Sequence, residues 1–116
     1  MEIPFAIGAA LVSASCATVR PAAPTMTPAG VRFMYARPDA RTVAVAGSFN
    51  EWSTSSHPLV QQQQGGPWML VVALEPGEYT FMYVVNGSEW VSPLAGDYVD
   101  DGFGSKNGVI VVSAKE

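Results

Sequence analysis

The run Tyr79-Thr80-Phe81-Met82-Tyr83-Val84-Val85-Asn86-Gly87 decides the fold. Tyr79, Phe81, Tyr83 and Val85 recur at every second position, which is the period of a strand with one buried face. Asn86-Gly87 closes it, because both residues tolerate the positive φ of a tight hairpin turn. Working outward, Trp90 to Ser92 reads as the return strand, and Val109 to Ser113 as a last, nearly continuous apolar strand. Upstream, Trp68, Leu70, Val72 and Leu74 alternate before the Pro76-Gly77 turn. Val43 and Val45 alternate up to Gly47, and Val31, Phe33 and Tyr35 alternate with Arg32, Met34 and Ala36 before Pro38-Asp39.

No window after residue 20 carries a helical period, so the chain is all-β. Short strands separated by turn signals point to an immunoglobulin-like antiparallel β-sandwich rather than a closed barrel. Trp68, in register with Leu70 and Val72, is expected in the core. Gln61 to Gln64 is a low-complexity tract expected to form a mobile loop.

Composition narrows the function. The chain has 116 residues, 48% hydrophobic and 14% charged, which is enough apolar material for one domain and too little length for several. Its net charge is −4, and the acid is concentrated in the second half. Nucleic acids and acidic membrane surfaces demand basic patches, so a neutral partner fits better. With one cysteine and one histidine, neither an intramolecular disulfide nor a zinc site is expected, and no cofactor is implied.

At the N-terminus, Ile3 to Val12 is mostly apolar, too short to span a bilayer, and followed by Ser13-Ala14-Ser15 and Cys16. This is the layout of an export signal over residues 1–15. It resembles the lipobox of bacterial lipoproteins, in which the cysteine is lipidated, so Cys16 is the candidate anchor of an exported, membrane-attached protein. The alternatives are export without lipidation, and a cytoplasmic chain with an apolar tail. Pro21, Pro24 and Pro28 among Ala and Thr make 16–29 an expected tether, leaving 30–113 as the folded domain.

Within that domain, Val43-Ala44-Val45-Ala46-Gly47-Ser48-Phe49-Asn50-Glu51-Trp52 looks like the signature of glycogen-binding domains. Further matches follow in order: Leu74 to Tyr79, Tyr83 to Gly87, Trp90, and Asp100 to Gly108 with Val109 to Val112. Together they resemble the family 48 carbohydrate-binding modules, the early-set domains of the AMP-activated protein kinase beta subunit and of glycogen-branching and debranching enzymes. The resemblance implies non-catalytic binding of an α-1,4-glucan such as glycogen, starch or a maltooligosaccharide, with a glucan-active enzyme as a possible protein partner.

Such a ligand offers flat C–H-rich faces and a rim of hydroxyls, so its site needs exposed aromatic rings beside amides and hydroxyls. Trp52 follows a polar loop start and Trp90 follows the Asn86-Gly87 hairpin, and both can stand at a surface. The resemblance assigns them to sugar stacking and Asn107 to hydrogen bonding. It also implies that Ser105 keeps a hydroxyl where the family often has Thr, and that Phe103 falls where some members place a Leu beside the sugar. Met82 occupies a position where the kinase-subunit members carry a Lys, so a charged donor is missing.

Catalysis is not expected. Asp97, Asp100 and Asp101 crowd one loop rather than flanking a bond from two sides, and His57 has only Ser55 and Ser56 of the same loop beside it. A β-sandwich that binds another protein through the same surface remains open at this point. The arrangement of Trp52, Trp90 and Asn107 separates the two.

Overall fold

A computed structural model describes residues 23–93 and 95–114. Expectations for the export segment, Cys16 and the first half of the tether, residues 16–22, therefore lie outside the described residues. Nine strands are formed there, with no helix among the described residues: β1 (Thr25–Thr27), β2 (Gly30–Tyr35), β3 (Val43–Gly47), β4 (Val60–Gln61), β5 (Trp68–Val72), β6 (Gly77–Val85), β7 (Glu89–Val91), β8 (Asp97–Asp100) and β9 (Lys106–Val112). They make two antiparallel sheets. Sheet A runs β1-β2-β5-β4, and sheet B runs β3-β6-β9-β8 with β7 paired to β6. The architecture is the all-β, early-set immunoglobulin-like sandwich expected from the period-two runs.

The alternating residues meet between the sheets. Val31, Phe33 and Tyr35 of β2 face Val43 and Val45 of β3 and Phe81, Tyr83 and Val85 of β6 in one buried cluster. Aromatic contacts knit its centre: Phe33 meets Phe81 edge-on at 5.2 Å, and Tyr35 lies tilted against Tyr83 at 4.7 Å. Each such buried side chain contributes about 1.5–3 kcal/mol. Tyr83 donates its hydroxyl hydrogen to Met34 O at 3.3 Å, and burial pushes its ionisation far above the ordinary tyrosine range. Trp68 is buried, as its register predicts, and its indole N–H donates to Arg37 O at 3.0 Å.

Three segments depart from the sequence reading. Thr25–Thr27 lies inside the expected tether yet pairs with β2. The Thr27 hydroxyl closes the turn by accepting from the Ala29 and Gly30 N–H groups and donating to Gly30 O. Gln61, at the head of the polar tract, belongs to β4, and its amide donates to Pro38 O and Gly66 O. Asp97–Asp100 is a strand rather than a turn: it pairs with β9 at the edge of sheet B.

Candidate functional site

Antiparallel partners share a face of their sheet, and along a strand the face alternates. In sheet B the core takes Phe81, Tyr83 and Val85 of β6, so Thr80, Met82 and Val84 face outward. Val84 pairs with Trp90, Met82 with Ala46, and Thr80 with Val109. Asn107, two residues before Val109, is on that same outer face. One surface therefore carries Trp90, Met82, Thr80, Val109 and Asn107.

Local geometry fixes each of them. Asn86 and Gly87 both adopt positive φ, 54° and 82°, and the Asn86 side-chain oxygen accepts from the N–H groups of Arg41 at 2.7 Å and Thr42 at 3.2 Å. The hairpin that delivers Trp90 is thus tied back to the β2–β3 loop. A second tie is the ion pair of Arg37 with Glu89 at 3.3 Å, weak because water screens it. Trp90 is 43% exposed. Met82 is only 9% exposed, so it forms the floor of the face and does not project from it. Asn107 is half-buried, and its neighbour must be glycine: a Cβ on Gly108 would meet Phe81 and Pro93 at 2.6 Å.

Trp52 comes from the β3–β4 loop. Phe49 anchors this loop to the core against Phe33 at 5.7 Å and Tyr79 at 6.1 Å. The chain then reverses through Glu51 and Trp52 at φ 58° and 59°. Left-handed backbone costs a non-glycine residue roughly 1–2 kcal/mol, so the reversal needs an outside hold. Asn50 supplies it. Its side-chain oxygen accepts from Gly47 N–H at 3.0 Å and Ser53 N–H at 3.2 Å, while its amide donates to Val45 O at 3.1 Å and to His57 Nδ1 at 2.9 Å. Trp52 N–H donates to Gly47 O at 2.9 Å, which puts its backbone at the end of β3, one residue from the Ala46–Met82 pair. The indole is half-buried.

The β8–β9 hairpin holds the remaining candidates. Asp101 Oδ1 accepts from the N–H groups of Phe103 at 2.7 Å and Ser105 at 3.1 Å, and Asp100 Oδ1 accepts from Gly102 N–H at 3.0 Å. These carboxylates organise the turn. Phe103 is left at its tip, 92% exposed, with Ser105 exposed beside it.

The sequence pattern shows Asn50 only as part of a motif and His57 only beside Ser55 and Ser56, and it carries no sign that the two side chains bond to each other. A groove of about 460 Å³ lies elsewhere, between Met26, Pro28, Leu74, Pro76 and Val112 at the Gly77 end of β6. At the other end of β6, on the face that carries Trp90, a smaller hollow of about 260 Å³ lies between Ala44, Thr54, Pro58, Val84 and Gly87.

The family model described as the glycogen recognition site of AMP-activated protein kinase matches residues 30–116. Among curated proteins, the 1,4-alpha-glucan branching enzyme of Pseudomonas syringae pv. syringae is 41% identical over 69 residues, which is 59% of this chain and 9% of that enzyme. The branching enzyme of Nitrosospira multiformis is 36% identical over 61 residues, 53% of this chain and 8% of the enzyme. That of Bacillus cereus strain B4264 is 35% identical over 71 residues, 60% of this chain and 10% of the enzyme. The chain thus spans about a tenth of the length of these relatives.

Proposed function

The chain belongs to the family of the glycogen recognition site of AMP-activated protein kinase, a non-catalytic carbohydrate-binding module, and from that premise we propose that it binds α-1,4-glucans such as glycogen, starch or maltooligosaccharides through the outer face of sheet B. The observation that carries this reading is the sharing of one face by Trp90, Met82 and Asn107. Trp90 offers a ring for a sugar face, Met82 an apolar floor, and Asn107 an amide that donates to one hydroxyl while accepting from another. Trp52 adds a second ring from the adjoining loop. Phe103, raised on its turn, and Ser105, an exposed serine, extend the contact surface toward β8.

If each indole removes about 100 Å² of apolar surface from water, it contributes about 2.5 kcal/mol before association entropy is subtracted. Affinity roughly between micromolar and millimolar is expected. The test is retention on insoluble starch or glycogen, followed by titration calorimetry with maltoheptaose. A folded wild type that is not retained and gives no heat would leave the protein-interaction module as the better account.

The apolar stretch Ile3 to Val12 and the following Ser13 to Cys16 support a further part of the proposal, that the module is exported and held at a bacterial envelope by lipid on Cys16. Fractionation and mass spectrometry of the N-terminus check it. An intact N-terminus in the soluble cytoplasmic fraction would reject export.

A further inference from the structure

The hold on the Trp52 loop runs through one titratable side chain, His57. The N–H groups of Gly47 and Ser53 can only donate, so the Asn50 atom they face is its oxygen. The other end of that amide is therefore Nδ2, a donor, and it faces His57 Nδ1 at 2.9 Å. A donor needs an acceptor, so Nδ1 presents a lone pair and the ring is the neutral Nε2–H tautomer. His57 is itself fixed in place: its carbonyl accepts from Val45 N–H at 3.1 Å, and its ring stands edge-on to Phe49 at 5.5 Å.

Protonation turns Nδ1 into a second donor pointing at Asn50 Nδ2. Glu51, the one ionisable side chain between Ser48 and Ser56, is exposed. Beyond Phe49 stands Tyr79, whose hydroxyl donates to Glu75 O. Among the described residues, ion pairs within 4.0 Å involve only Arg37 with Asp39 and Glu89, so no carboxylate is placed to hold an imidazolium at His57.

We infer that His57 is a positioning residue for Trp52, holding the Asn50-centred loop in its binding shape only while neutral, so that glucan affinity falls as the pH is lowered. The inference rests on the reading of Trp52 as a glucan contact. The sign follows from the hydrogen bond: acid replaces the acceptor at Nδ1 with a donor that faces the Asn50 amide donor, and so favours release.

The test is calorimetry with maltoheptaose on the whole chain at about pH 8 and about pH 5, the span over which imidazoles titrate, with a thermal melt at each pH. Wild-type affinity should drop about tenfold, the scale of one hydrogen bond turned into a donor–donor clash. His57→Gln, whose side-chain oxygen accepts at either pH, should keep the high-pH affinity and lose the slope. His57→Ala should bind weakly at both. A wild type that binds equally well at both pH values while folded, or a His57→Gln variant that retains the wild-type slope, overturns the inference. No binding at either pH by folded wild type overturns the glucan reading instead. Nitrogen-15 spectra of the untagged protein give an independent measure, since the chain has a single histidine. An Nδ1–H tautomer at high pH overturns the inference without reference to any ligand.

Discussion

Trp90 stands across from Val84 in the β6–β7 hairpin, so its indole lies on the outer face of the same strand that sends Tyr83 and Phe81 into the core. The ring is exposed, while the strand beneath it is anchored from the other side. Removing the indole should therefore cost binding and leave the fold intact. Trp90→Ala should weaken maltoheptaose binding by roughly tenfold to seventyfold, the equivalent of about 1.5–2.5 kcal/mol, with an unchanged melting temperature. Calorimetry and a thermal melt on the same sample check both halves.

The third tryptophan should behave in the opposite way. Trp68 is 7% exposed and its indole N–H is bonded to Arg37 O. Trp68→Ala leaves a cavity and an unpaired carbonyl, and should destabilise by about 3–5 kcal/mol. A denaturant titration measures this. Binding of the fraction that stays folded should match wild type.

Met82 gives a test of strength. Its partner Ala46 is small, so a longer side chain at this position can run along the sheet and bring a polar end to the rim. Met82→Lys should raise glucan affinity severalfold by supplying a donor for sugar hydroxyls, with a stability loss of about 1 kcal/mol. Equal or weaker binding by a folded variant would show that the missing donor does not limit affinity.

Alkaline pH probes the core. Burial holds the Tyr83 hydroxyl neutral well beyond the usual tyrosine range, whereas in the unfolded chain a tyrosine ionises near pH 10. Above that value the unfolded chain releases a proton that the fold retains, so stability is full below about pH 10 and falls as the pH rises further. Urea midpoints from about pH 9 to about pH 11 should decline, and Tyr83→Phe should flatten the decline.

The elements legible in the sequence were β2, β3, β5 and β6, with an apolar residue at every second position and a turn after them, β7 as the return of the Asn86-Gly87 hairpin, and β9 as a nearly continuous apolar run. The positive φ values of Asn86 and Gly87 follow from residue chemistry alone. β8 was not legible because all four of its residues are exposed, so it has no buried face to leave a pattern. β1 was hidden because Thr25 to Thr27 sits between prolines. Trp90 and Asn107 could be placed near a surface, but their common face depends on register between strands far apart in sequence. The Asn50–His57 contact had no signal either. It spans seven residues of irregular loop, and only the backbone donors of Gly47 and Ser53 decide which way the amide turns.

Strand β6 is shared. One edge pairs with β3 through Phe81 to Val85, while the other edge is divided between β7 near Val85 and β9 from Gly77 to Phe81. β7 follows it directly, but β3 is made long before it and β9 well after it, and part of one edge stays without hydrogen bonds until Lys106 to Val112 arrives. During synthesis the aromatic interior has no finished wall until the ribosome has released that segment. Assembly is ruled by distant pairings, so refolding should take roughly milliseconds to seconds, slower than for a helical chain of this length. The exposed edge of a nascent or truncated chain is also where it would be captured by another strand.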